Sequence, residues 1–264
     1  CMIVTMMPLG VWAGETEGSN DSGDSSPTVA ENTVVELTED TQMATLDPNT
    51  TYDLKGHSLT YTGGTLVVES TNTLKFIDST VSGDQRGGTL KLTGVSSTNA
   101  AFQPKTGGKV IAENINITCT GSAFYPCGDA AEVTIINCDV QAAVYCVATN
   151  AATAENYDVR ITLKDSTVTS SSDDGDNCAV MINIPGTLNI DNCTITGDRQ
   201  AVMVRAGNAT IRNSDIRATG KYEDSNDYED TKAWGSGNEV PMAALIVGSQ
   251  TNAYKANAVC TVTD

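Results

Sequence analysis

Six stretches of the chain share one pattern of apolar and polar positions. They are LKFIDSTV at 74–81, VIAENINI at 110–117, VTIINCDV at 133–140, ITLKDSTV at 161–168, LNIDNCTI at 188–195 and ATIRNSDI at 209–216. Each starts with apolar residues at every second position, the period of a half-buried strand. An Asn or Asp follows, and a β-branched residue stands three places beyond it. Alignment puts Asp78, Asn114, Asn137, Asp165, Asn192 and Asn213 in one column. Val81, Ile117, Val140, Val168, Ile195 and Ile216 form a second column, expected to face inward.

Two further markers recur in fixed order. A second strand follows each unit and opens with Ala and a large apolar residue: Ala101-Phe102, Ala123-Phe124, Ala143-Val144, Ala179-Val180, Ala201-Val202 and Ala244-Leu245. A glycine-rich step then starts the next copy, at Gly63-Gly64, Gly87-Gly88, Gly107-Gly108, Pro185-Gly186 and Gly207-Asn208. No strand is followed by a helical pattern, so βαβ units are excluded. A β-sandwich needs antiparallel alternation and leaves the three aligned columns unexplained.

A recurrence of about 20–25 residues fits one coil of three short strands. The pattern predicts an all-β fold, a right-handed parallel β-helix of about seven or eight rungs. A single rung buries nothing, whereas stacked rungs bury a continuous apolar column. Rungs spaced at roughly 4.8 Å give a cylinder roughly 35 Å long. The Asn/Asp column belongs at a tight turn, where Asn tolerates left-handed geometry and its amide can bond the neighbour above.

The flanks divide the chain. Residues 1–13 form an apolar run ending in Val11-Trp12-Ala13 and read as the tail of a signal peptide. A lipid-anchor role for Cys1 is the rival reading. Residues 14–32 are acidic, Ser/Gly-rich and aperiodic, as expected of a linker. The β-helix domain covers 33–264, with TLDPNTTYDLKGHSLT at 45–60 as its capping rung. AVCTVTD at 258–264 matches the opening of another rung, so more protein is expected beyond it. These readings make the chain a secreted, monomeric module of a larger protein.

Composition narrows the partners. The 264 residues carry a formal net charge of −18, with a pI near 4.2. Such a chain repels phosphate backbones and anionic membranes, which excludes nucleic acid as a natural partner. No other segment approaches the ~20 apolar residues of a membrane helix. Beyond Cys1 stand Cys119, Cys127, Cys138, Cys146, Cys178, Cys193 and Cys260, an odd set without CxxC spacing. Column counting brings Cys127 near Cys146 and predicts a disulfide there. It also puts Cys138 and Cys193 on the same inner stack, where thiols pack as small hydrophobes.

The string YDLKGHSLTYTGGTLVVES at 52–70, followed by repeated Leu-x-Ile-x-Asn-Cys/Ser-x-Ile units, resembles large secreted bacterial surface proteins with pectate-lyase-like β-helix repeats. The resemblance implies the same fold over 33–264. For function it implies a choice among polysaccharide lyases, glycoside hydrolases, adhesins and repeat modules without activity.

Two segments stand outside the repeat. DDGDNCAV at 173–180 resembles the paired-Asp motif of β-helix glycoside hydrolases, which makes Asp173 and Asp174 the alternative catalytic pair. The companion His-Gly and Arg-x-Lys motifs are missing, and His57 is the chain's one histidine, far upstream. A solvated acidic turn is the better account of the segment, and Asp173, Asp174 and Asp176 also suit Ca²⁺. Arg160, Arg199, Arg205, Arg212 and Arg217 could gather on one face as in a lyase, or simply balance an acidic surface. The insertion at 221–239 interleaves Tyr222, Tyr228 and Trp234 with acidic residues, including Asp227 and Asp230. Loops on a rigid scaffold carry binding, and these residue types suit sugar rings and hydroxyls. The expected function is a non-catalytic adhesin, stalk or carbohydrate-binding module whose partner is a polysaccharide or surface glycan. The alternative is a polysaccharide lyase or glycoside hydrolase. No cofactor is expected apart from Ca²⁺.

Overall fold

The computed structural model describes residues 32–150, 156–171, 178–198, 200–219, 243–248 and 257–264. The signal-peptide and linker assignments for 1–32 fall almost wholly outside them. The first described strand begins where the alternation begins, at Thr33.

The chain coils through three sheets in turn. The first rung holds β1 (Thr33–Glu36) and β2 (Thr41–Met43), and the second β3 (Thr50–Asp53), β4 (Ser58–Tyr61) and β5 (Leu66–Val68). The third is β6 (Thr73–Ile77), β7 (Thr89–Leu92) and β8 (Ala100–Pro104), and the fourth β9 (Lys109–Glu113), β10 (Asn116–Cys119) and β11 (Ser122–Phe124). The fifth is β12 (Glu132–Ile136), β13 (Asp139–Ala142) and β14 (Val147–Ala148). The sixth is β15 (Val159–Lys164), β16 (Thr167–Ser170) and β17 (Cys178–Ile182). The seventh is β18 (Gly186–Asp191), β19 (Thr194–Gly197) and β20 (Gln200–Val204). The eighth is β21 (Gly207–Arg212), β22 (Asp215–Ala218) and β23 (Ala243–Val247), and β24 (Ala258–Thr263) opens a ninth. Among the described residues, the three sheets have nine, eight and seven strands, all parallel to their neighbours. This is the right-handed parallel β-helix that the repeat predicts.

Short turns join the first sheet to the second and explain the Asn/Asp column. Asn114, Asn137, Asp165, Asn192 and Asn213 adopt φ of 61°, 51°, 51°, 52° and 48°. Short polar side chains tolerate this left-handed region better than others. Their amides bridge rungs: Asn137 Nδ2 donates to Asn114 Oδ1 at 2.9 Å, and Asn192 Nδ2 to Asp165 Oδ1 at 2.7 Å. The next turn residue is buried Ile115 in the fourth rung, and from the fifth rung on it is Cys138, Ser166, Cys193 and Ser214 in turn. Cys138 and Cys193 donate backbone N–H to the hydroxyls of Ser166 and Ser214, each at 3.0 Å. Both thiols in turn donate to the carbonyl two residues back, at 3.2 Å.

The core is a set of stacked columns. In the first sheet, Tyr52, Phe76, Ala112, Ile135, Leu163, Ile190 and Ile211 lie one above another, all buried. Small Ala112 follows large Phe76, which leaves room for Phe76 to meet Phe102 across the interior at a centroid distance of 5.3 Å. Phe102 continues to Phe124 at 5.8 Å and to Tyr61 at 5.9 Å. Each fully buried Leu, Ile or Phe contributes about 1.5–3 kcal/mol by leaving water.

Several register expectations need correction. The Ala-apolar pairs lie in the third strand of each rung, because the Asn-centred unit already holds two strands. In the fifth rung Val147, and not Val144, pairs with Phe124 and Val180. Asp78 occupies the turn column but opens a long connection over 78–88. Leu90 therefore takes the inward place expected for Val81, in register with Ile117. Gly63-Gly64 and Gly87-Gly88 precede third-sheet and second-sheet strands. Only Gly107-Gly108, Gly186 and Gly207 stand at rung starts. At Gly207, φ is 72° and a Cβ would lie 2.4 Å from Gly186 O.

Candidate functional site: the outer face of the third sheet

From β6 to β21 the strands of the first two sheets alternate buried with more exposed positions, whereas β3 is buried throughout. Thr162, Asn189 and Thr210 line one outer column of the first sheet, and Thr169 and Thr196 sit in one of the second. Cross-rung ion pairs complete the first sheet's exterior: Lys75 meets Glu113 at 2.7 Å and Lys109 meets Glu132 at 3.1 Å.

The third sheet breaks this rule. All five residues of β17 and of β20 are buried, so both faces of those strands are covered. Val180, Ile182, Val202 and Val204 belong to the main core. Met181, Met203, Cys178 and Ala148 form a second apolar cluster, with Tyr125, Tyr145 and Ile246 packed against it. The register stacks Ala148, Met181, Met203 and Ile246 on successive rungs. Met181 is 4% exposed and Met203 2%.

Polar groups border this cluster. Asn183 and Gln200 are fully buried, and the Asn183 N–H donates to Thr149 Oγ1 at 2.7 Å. Arg205 is 3% exposed and directly follows β20. Burial pulls its guanidinium below the ordinary value, with nearby Cys178 acting in the opposite sense. Arg205 N donates to Ile182 O at 2.8 Å, holding it at the sheet's exit corner.

In chain order, both sequence-selected segments run from a second-sheet strand to a third-sheet strand. Asp173, Asp174 and Asp176 lie between β16 and β17. Tyr222, Asp227, Tyr228, Asp230 and Trp234 lie between β22 and β23. Both stretches fall outside the described residues. They are nevertheless the same kind of connection, from second to third sheet, two rungs apart. The structure thus brings the two ends of each stretch to one corner of the β-helix.

Among the described residues, the sequence-selected arginines are spread over two sheets and a corner. Arg160 lies on the outer first sheet and pairs with Asp158 at 2.7 Å. Arg212 belongs to that sheet too, and Arg217 lies on the second, paired with Asp215. Arg205 stands at a different corner, and Arg199 is outside the described residues. His57 sits in the turn after β3, with Nδ1 3.8 Å from Asp40 Oδ1. Among the described residues, no group of three or more His, Cys, Asp or Glu is placed to hold a metal ion.

The Cys127–Cys146 pairing also needs correction, since both thiols are free. Cys146 stands in register with Ala123, four residues before Cys127. At about 3.3 Å per residue that offset is about 13 Å, too far for a disulfide. Cys146 Sγ instead donates inward to Thr169 O at 3.2 Å. Burial pushes the thiols of Cys119 and Cys193 up to about 11 and that of Cys138 up to about 12.

The outer cluster was readable in principle. CAVMI at 178–182 and QAVMV at 200–204 are apolar with little alternation, the mark of strands covered on both faces. The chain matches no protein-family model, no curated protein and no solved structure.

Proposed function

We propose that the chain is a non-catalytic, pectate-lyase-like β-helix module of a secreted surface protein that binds a polysaccharide or surface glycan beside its third sheet. One observation carries this reading. Among the described residues, the third sheet carries an apolar outer cluster with Tyr125 and Tyr145 packed against it, and both the acidic 173–176 stretch and the acidic, aromatic 221–239 stretch lead in the chain to its strands. Tyr125 and Tyr145 offer faces for sugar rings, as do Tyr222, Tyr228 and Trp234. Asp227 and Asp230 supply acceptors for hydroxyls, and Asp173, Asp174 and Asp176 supply oxygens suited to Ca²⁺. A rigid coil with saturated turns suits presentation at a surface, as an adhesin or stalk requires.

A specific observation keeps a second reading open. Asp173 and Asp174 precede β17, in the middle of the same sheet, where paired carboxylates would flank a bound glycosidic bond. Screening acidic and neutral polysaccharides with and without Ca²⁺ separates the two. Binding without turnover, weakened in a Tyr125→Ala/Tyr145→Ala variant, is the expected result. Turnover abolished by Asp173→Ala or Asp174→Ala would replace the module with a hydrolase or lyase. Neither binding nor turnover would leave a structural spacer.

A further inference from the structure

In a solenoid each repeat touches only its neighbours, so rungs open largely one by one. The connection over 78–88 departs from that rule. It leaves β6 in the third rung and returns to β7 in the same rung, yet its contacts run from the second rung to the sixth. At its base, Ser79 N donates to Asp53 Oδ1 at 3.0 Å and Lys55 Nζ donates to Ser79 Oγ at 2.8 Å. Asp78 Oδ2 accepts from Gly56 N and from Gly88 N, each at 2.6 Å, tying both ends of the connection to the second-rung turn.

Above its own rung the connection climbs the turn column. Gly87 N donates to Asn114 O at 2.8 Å, and Asn116 Nδ2 returns a bond to Gly87 O at 2.9 Å. Asn137 Nδ2, in the fifth rung, donates to Gly83 O at 3.0 Å and to Gln85 O at 2.9 Å. Arg86 reaches the sixth rung, where its guanidinium donates to Asp165 O at 3.3 Å. Turns that would otherwise exchange bonds only with the next turn share one cover.

We infer that residues 78–88 are a conformational strap that makes rungs two to six open as one unit. Freeing any one of these turns requires releasing the strap, and its release exposes the turns of all the others. Rungs seven and eight have no such cover among the described residues, so they retain rung-by-rung behaviour.

Native-state hydrogen exchange of the whole chain in increasing urea tests this. In the unmodified protein, amides of β9 and β10, β12 and β13, and β15 and β16 share one opening with one urea dependence. Arg86→Ala/Asn137→Gly removes the strap's upper bonds while glycine retains the left-handed backbone at 137. Protection in both the fifth and sixth rungs then falls by about tenfold, the scale of lost hydrogen bonds, and separates from the second, third and fourth. Asn213→Gly removes an amide bridge to Asp191 that shares no residue with the strap's contacts, and lowers protection only around its own turn. Arg86→Ala alone, a milder change, splits off the sixth rung. Independent exchange of each rung in the unmodified protein would overturn the proposal. So would a double variant whose loss stays confined to the Asn137 turn.

Discussion

Cys138 donates its backbone N–H to the hydroxyl of Ser166, one rung above, at 3.0 Å, and the Ser166 hydroxyl donates onward to Lys164 O at 2.6 Å. Ser166 is 2% exposed, so the Cys138 amide has no route to water. Ser166→Ala should therefore cost about 1–3 kcal/mol, the penalty of a buried unsatisfied donor. Cys138→Ser should cost less than Ser166→Ala, because serine makes the same turn in the next rung, where its hydroxyl donates to the carbonyl two residues back. Urea unfolding midpoints check both, and equal losses would contradict the pairing.

Asp78 should make stability depend on acid. Burial by itself raises its carboxyl, but bonds from Thr80, Gly88 and Gly56 outweigh that effect and hold it below the ordinary carboxylate value. A depressed folded value adds stability that is complete above the unfolded pKa of about 3.9 and disappears as pH falls through the folded value. Unfolding midpoints measured from neutral pH down to strong acid should fall less steeply in Asp78→Asn than in the unmodified protein. Asp78→Asn should also be the less stable protein at neutral pH, because an amide cannot accept at both oxygens.

Thiol reactivity should follow position on the coil. Cys138, Cys146 and Cys193 are inside and have raised pKa values from burial. Cys127 and Cys260 are only partly buried. Brief alkylation of the native, non-reduced protein at mildly alkaline pH should label Cys127 and Cys260 first. Mass spectrometry should find no Cys127–Cys146 linkage.

The exterior cluster should behave like core. Met203→Ala should cost about 2–5 kcal/mol, as for a buried methionine. Thr169→Ala, on the outside of the second sheet, should stay within about 0.5 kcal/mol. Thermal unfolding of the two variants distinguishes them, and equal small effects would show that the Met181–Met203 stack contributes little.

Much of this was legible because a β-helix repeats its local chemistry. Asn137 and Asn192 revealed the turn column, since few residue types adopt that backbone conformation cheaply. Ala123-Phe124 and Ala201-Val202 revealed a strand, since both residues of each pair meet the core at a corner. The same regularity misled at Val81 and Val144, where an insertion preserved the local motif but displaced the register. Sequence spacing cannot tell whether extra residues lie before or after the next paired strand. The Cys127–Cys146 expectation failed for that reason.

The sequence by itself determined the coil: strand alternation, left-handed turns and inward columns are short-range consequences of side-chain shape and polarity. Only the tertiary structure decided which face departs from the pattern. The unbroken apolar runs CAVMI and QAVMV mark strands covered on both faces, but only stacking places Met181 and Met203 one above the other outside the third sheet. Gly83, Gln85 and Arg86 look like ordinary loop residues until the coil brings Asn137 and Asp165 beneath them. Those relationships arise between rungs, where residues distant in the chain meet through hydrogen bonds and burial that no local pattern encodes.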